Sequence, residues 1–231
     1  DPKFMVKFFK LISYDFYKEI FDRCLSLLLL IILLPLFIFL ALIIFINLGN
    51  PIIFCHVRAG LNGEPFRLFK FRSMTNECDC NGELLPPEER LNSFGIFIRS
   101  TSLDELPSLI NVIKGDMSFI GPRPLLLKYV PLYSNEQILR LSVKPGITDI
   151  ASIVFSDEGE ILKNEIDPDI AYHQLIRPGK NKLGLFYIKN NYILLDFCLI
   201  ILTIIAILDK RKSLYFLSKL LKFNNANEEL I

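Results

Sequence analysis

RSTSLDELPSLINVIKGDMSFIGPRP, residues Arg99 to Pro124, holds two adjacent acids, Asp104 and Glu105, between two arginines, Arg99 and Arg123. Leu106, Leu109, Ile110 and Ile113 recur at helical spacing, which predicts a helix starting between Ser102 and Glu105 and ending at Gly115, a residue suited to a left-handed cap. Ser102 and Glu105 match a capping box, and Asp104 is an alternative cap that places Pro107 inside the first turn. Taken alone, the acids mark a helix start, where carboxylates are common for dipole reasons. With the arginines and Gly121-Pro122-Arg123-Pro124 beside it, that helix N-terminus is also a ready anion site.

The run DELPSLINVIKGDMSFIGPRP resembles the signature of the bacterial sugar transferase family, monotopic phosphoglycosyl transferases that charge a polyprenyl phosphate with a sugar phosphate. Lys70-Phe71-Arg72-Ser73-Met74 resembles the family's Lys-Phe-Arg-Thr-Met element, and Lys144-Pro145-Gly146-Ile147-Thr148 its Lys/Arg-Pro-Gly-Ile-Thr turn. After that turn many members continue Gly-Leu-Ala-Gln-Val-Asn-Gly-Arg-Asn. Here Asp149-Ile-Ala-Ser-Ile-Val-Phe-Ser-Asp157-Glu158 follows, and the arginine that helps to hold the nucleotide has no counterpart.

Composition sets outer limits. The chain has 231 residues, 52% of them hydrophobic, and a net charge of +1; its mean hydropathy is +0.40. The apolar excess sits towards the two ends and implies membrane association. So small a net charge argues against a nucleic-acid surface, and any phosphate site must come from local placement of Lys and Arg. The five cysteines cannot all pair, and Cys78-x-Cys80 lacks zinc-knuckle spacing, so neither a disulfide framework nor a structural zinc is expected.

Leu25 to Leu48 is almost purely apolar, long enough to cross a hydrocarbon core of roughly 30 Å. Pro35 must kink or break a helix there. Hydropathy alone does not separate a span from a re-entrant form; basic residues flank both sides, Lys7, Lys10, Lys18 and Arg23 before and Arg58, Arg67, Lys70 and Arg72 after, so a single span would place one cluster outside, against the positive-inside bias. The resemblance implies a helix broken at the proline that dips into one leaflet with both ends cytoplasmic, although Leu34 replaces the serine many members carry before it.

Ile52–Val57 and Pro65–Met74 predict a hairpin, and residues 76–93 a polar loop running into a short helix. Asp157 and Glu158 are read as a solvated acidic turn, and Arg177-Pro178-Gly179-Lys180 as a basic turn. Leu194–Leu208 is too short to span comfortably and suits an interfacial or core-packed helix, and Leu214–Phe223, which mixes Phe, Leu and Lys, suits a helix lying on an anionic surface. Asn224–Ile231 is expected to fray.

The expected fold class is α+β: a mainly helical monotopic membrane protein with an N-terminal proline-broken re-entrant helix, a small β-hairpin and interfacial amphipathic helices. Residues 1–50 are the expected membrane element and 51–231 the catalytic domain on the cytoplasmic face of a bacterial inner membrane. The resemblance implies a nucleotide-sugar donor, most simply UDP-linked, a polyprenyl phosphate acceptor, membrane lipid and Mg²⁺, with a homodimer compatible. Asp104 is the expected nucleophile, and Glu105 holds Mg²⁺ or assists deprotonation; which acid binds the metal stays open. Arg99 and Arg123, with Lys70 and Arg72 in support, are the expected phosphate contacts. A membrane hydrolase using an aspartyl-phosphate and a non-catalytic scaffold are the competing readings.

Overall fold

A computed structural model describes residues 2–163 and 167–227. It is mostly helical with a few short strands, as an α+β class requires. The chain divides into two compact units, one of Ile20–Arg58 with Pro65–Met117, the other of Asp1–Glu19, Ala59–Glu64 and Ser118–Ile231.

Helix α1, Pro2–Ile32, stops one residue short of α2, Leu34–Leu48. Pro35 falls in the first turn of α2, where its missing N–H costs nothing, so the proline starts a second helix instead of distorting the first. Among the described residues no single helix is long and apolar enough to cross a membrane; Tyr14–Ile32 and Leu34–Leu48 reach that length together, bent by 64°.

Strands β1, Ile53–Ala59, and β2, Pro65–Phe71, are adjacent and form the expected hairpin. The polar loop leads through a short helix, Pro87–Arg90, to α3, Ser93–Ser100. A 3₁₀ turn, Leu103–Glu105, precedes α4, Ser108–Lys114, which closes at Gly115 in the left-handed region (φ 86°) as expected. Leu40 and Ile44 of α2 pack with Phe71 and Ile98, and Phe37, Ile52, Leu103 and Leu106 close over them. Leu103 and Leu106 bracket the acid pair, so this core holds the turn that carries it.

In the other unit β3, Ser118–Ile120, pairs in parallel with β4, Gly146–Thr148, in the register Ser118 to Gly146 and Ile120 to Thr148. The segment expected as a turn is therefore partly strand. The two strands come together at paired glycines: a Cβ on Gly146 would lie 2.2 Å from the Gly121 nitrogen, and one on Gly121 2.4 Å from the Lys144 oxygen. Asp149, whose carboxylate accepts from Ser152 N at 2.6 Å, caps α5, Ile150–Val154.

Arg177-Pro178-Gly179-Lys180, expected as a basic turn, opens α6, Arg177–Asn190; a proline in the first turn is no obstacle to a helix. Asp157 and Glu158 are not simply solvated, since Asp157 pairs with Lys210 at 2.5 Å and Glu158 with Lys180. Helix α7, Ile193–Leu208, buries Leu195, Leu199 and Leu202 at helical spacing, and α8, Lys210–Phe223, buries Leu217 and Leu221. The last four residues expected to fray, 228–231, lie outside the described part.

One charge is embedded in α7. Asp196 accepts from Tyr187 at 2.6 Å, Tyr14 at 2.7 Å and Lys18 at 2.6 Å, which ties the middle of α1 to α6 and α7. A carboxylate so enclosed is tolerable only because its lone pairs are filled.

Candidate active site

The acids do not start an α-helix. Ser102 sits in the left-handed region (φ 55°) with no capping hydrogen bond, and the N-cap of α4 is Pro107. Neither Ser102 nor Asp104 is the cap that the sequence pattern predicts. Proline fixes its own φ and offers no donor, so the chain closes a 3₁₀ turn over Leu103–Glu105 and resumes as α-helix after it.

Lys70, on β2, joins the two acids. Its ammonium lies 2.7 Å from Glu105 Oε1 and 3.4 Å from Asp104 Oδ2. Asp104 is buried, at 8% exposure. Burial lifts its carboxyl above the ordinary aspartate range and the neighbouring Glu105 charge adds to that, while Lys70 and Arg99 pull it back. Because the acids lie in a 3₁₀ turn ahead of α4, no α-helix N-terminus starts at Asp104 to offset that burial.

Arg99, exposed at the end of α3, donates from Nε to Ser73 Oγ at 2.9 Å. It joins the Lys-Phe-Arg-Ser-Met run to the segment that carries the acids. Arg72 goes elsewhere. Its guanidinium donates to the carbonyls of Leu48, Gly49 (2.7 Å) and Asn50 (2.7 Å), so it satisfies the orphan acceptors at the end of α2. That role, unlike the phosphate contact expected, fastens the broken helix to β2 two residues from Lys70.

Arg123 belongs to the other unit. It is exposed and lines a pocket with Gly60, Pro122, Pro124 and Arg140. Its loop is anchored by Gly146 N donating to Pro122 O at 3.1 Å and Gly121 N to Thr148 O at 3.1 Å.

The sequence pattern passed over Asn111, which is fully buried in α4. It accepts from Phe69 N at 2.9 Å and donates to Arg67 O at 2.7 Å, gripping β2 just ahead of Lys70. A polar residue inside an apolar helical run was the available signal.

Among the described residues no cluster of three or more His, Cys, Asp or Glu is placed to hold a metal. Asp104 and Glu105 nevertheless fit Mg²⁺, a hard cation that takes one or two carboxylates and completes its octahedron with phosphate and water.

The sequence model for bacterial sugar transferases matches residues 13–210. An uncharacterized sugar transferase of Bacillus subtilis is 48% identical over 136 residues, covering 59% of this chain and 67% of that protein. The UDP-glucose:undecaprenyl-phosphate glucose-1-phosphate transferase of Klebsiella pneumoniae is 36% identical over 165 residues, 68% of this chain and 36% of that one. The undecaprenyl-phosphate galactose phosphotransferase of Salmonella typhimurium is 39% identical over 155 residues, 60% of this chain and 32% of that one. The chain thus spans about a third of the length of the last two.

Proposed function

The chain belongs to the bacterial sugar transferase family, and from that premise we propose that it moves a sugar phosphate from a nucleotide sugar, UDP-linked, to a membrane polyprenyl phosphate, releasing the nucleoside monophosphate. The names of the Klebsiella and Salmonella relatives support that reaction class. The observation that carries it is the buried Asp104 beside Glu105, both facing the Lys70 ammonium. Such a carboxylate is poorly solvated and therefore more nucleophilic, yet held in place.

In the first half-reaction an Asp104 oxygen bonds to the sugar-proximal phosphorus. The bridging P–O bond breaks, and the nucleoside monophosphate leaves with its electron pair. In the second, a phosphate oxygen of the lipid attacks the same phosphorus and frees the Asp104 carboxylate. Lys70 holds Glu105 and offsets the charge of the pair; Arg99 and Arg123 take phosphate oxygens. Asp104 or Glu105 would hold Mg²⁺, which would supply charge neutralisation for the diphosphate.

In this reading residues 1–50 form a re-entrant element in the bacterial cytoplasmic membrane, and 51–231 work on its cytoplasmic face. The partners are donor, lipid acceptor and surrounding lipid, with no nucleic acid; a homodimer is compatible.

Full-length protein incubated with donor and Mg²⁺ but no polyprenyl phosphate is expected to release at most one equivalent of nucleoside monophosphate in a burst and to gain one phosphosugar in mass. Asp104→Asn abolishes both signals, and Glu105→Gln slows the burst without moving the adduct. An adduct on Glu105, or full turnover by Asp104→Asn, refutes the roles. Continuous release without lipid identifies a hydrolase instead.

A further inference from the structure

Among the described residues no strand lies along the outer edge of β2, which pairs with β1 on its other side. Main-chain groups at such an edge need another partner. Here one side chain stands in for a strand. Arg67 O and Phe69 N leave β2 on the same side, and the Asn111 amide answers both, donating to the carbonyl at 2.7 Å and accepting from the N–H at 2.9 Å. That is the bonding a residue of a parallel neighbouring strand would make. Asn111 is fully buried, and its amide is itself held: Nδ2 also donates to Asp116 Oδ2 at 3.2 Å, while Asp116 N donates to Asn111 O at 3.0 Å. Lys114, at the end of α4, stands over the Phe69 ring at 5.3 Å.

Helix α4 joins this clasp to the acids. Its first residue, the buried Ser108, donates from Oγ to Glu105 O at 2.6 Å. The turn that bears Asp104 and Glu105 is therefore fastened to the start of α4, and β2 is fastened one turn further along. Next after Phe69 comes Lys70, whose ammonium closes the circuit at 2.7 Å from Glu105 and 3.4 Å from Asp104. The lysine stem is flexible, so the place of its root on β2 decides how far the ammonium reaches towards each carboxylate. A misplacement of about 1 Å in a reacting site can cost on the order of 10²-fold in rate.

We propose that Asn111 is a positioning residue for the transfer reaction: it fixes the outer edge of β2 and so holds Lys70 against the Asp104–Glu105 pair. The assignment deepens the transferase reading and rests on it.

The test is a double-substitution cycle on full-length protein in nanodiscs, with wild type, Asn111→Leu, Lys70→Met and the two together. Asn111→Leu nearly keeps the volume but leaves Arg67 O and Phe69 N unanswered. It is expected to lower kcat about tenfold or more, with the donor KM within about threefold of wild type. In the Lys70→Met background the same substitution is expected to lower kcat by less than about threefold, because no ammonium is left to misplace. Equal factors in both backgrounds overturn the proposal and make Asn111 a residue of the fold alone. Asn111→Ala leaves room for water at the two backbone groups and carries the same cycle if Asn111→Leu does not fold. A second measurement needs no turnover: Lys70 is acylated with a limiting amount of an amine reagent and read by peptide mass spectrometry against Lys212, whose side chain is 73% exposed. Loss of the Asn111 amide is expected to raise labelling of Lys70 relative to Lys212 about threefold or more, and an unchanged ratio overturns the proposal. If wild type turns over no nucleotide sugar, the transferase reading fails, and the labelling still decides whether Asn111 places Lys70.

Discussion

Lys70 sets its ammonium against the carboxylates of Asp104 and Glu105, with Asp104 itself buried. Burial raises the Asp104 carboxyl and the neighbouring Glu105 charge adds to that, with consequences for both activity and stability. If the nucleophile must be ionised, the acid limb of kcat/KM lies above the ordinary aspartate range of about 3.9. Lys70→Met removes the largest influence holding that carboxyl down, so the limb moves to higher pH while activity falls about 10²-fold or more. A pH–rate profile of the two proteins checks this, and an unmoved limb argues that Asp104 is not the titrating group. Stability has the opposite interest. A carboxyl raised in the folded state stabilises the protein fully below its unfolded pKa, and that contribution is lost as pH rises through the folded one. Asp104→Asn, though inactive, is therefore expected to melt higher than wild type at pH 7 to 8, with the difference shrinking as pH falls towards about 4. Thermal melts across that range read the difference; a lower melting temperature at neutral pH contradicts the account.

The β3–β4 pair depends on the backbones at Gly121 and Gly146 passing closer than any side chain allows. Gly146→Ala overpacks that crossing and is expected to cost roughly 1–3 kcal/mol. Thermal denaturation then shows a fall of about 3–10 °C, whereas no change means the strands can slide apart. Sequence exposed such elements unevenly. The β1–β2 hairpin was visible because alternation and a glycine-rich turn are both local. The proline break was visible too, since Pro35 acts on its own helix. Gly146 was taken for a turn residue because its partner, Gly121, is distant in sequence, and proximity has no local trace. Arg177–Lys180 was misread for a related reason: Pro and Gly together suggest a turn, but Pro178 is acceptable where a helix begins. At the site, the acids, Lys70 and the arginines were legible as residue types. Their geometry was not. The capping box was defeated by Pro107, and Arg72 found the carbonyls of α2, a helix end that approaches it only in three dimensions.

The molecule as a whole exposes more apolar surface than water favours. Ile46 of α2 is 79% exposed, as are Ile207 and Leu208 of α7 at 78% and 83%, and Phe223 at 81%. Exposed faces of this kind mark contact with something other than water. For α1 and α2 the bend of 64° adds a geometric argument, because a sharply bent pair covers less depth than a straight helix of the same length. Arg72 holds the end of α2 against β2 within its own unit, so a re-entrant path keeps that end on the side where Lys70 and the acids work. Basic residues before and after the apolar stretch agree with both flanks facing the cytoplasm. Two reporters decide it in intact cells: with the native cysteines replaced by serine, Asp15→Cys is made alone, and Cys78 is restored alone. Both positions are exposed in the fold, so protection from a membrane-impermeant thiol reagent reports the membrane and not burial. Protection of both until the cells are opened is the expected result. Pro35→Ala removes the residue that prevents continuous hydrogen bonding through the break, so a fraction of molecules should straighten and cross, making Asp15→Cys reactive from outside. Labelling of Asp15→Cys in the presence of Pro35 would mean that the chain spans the membrane despite the proline.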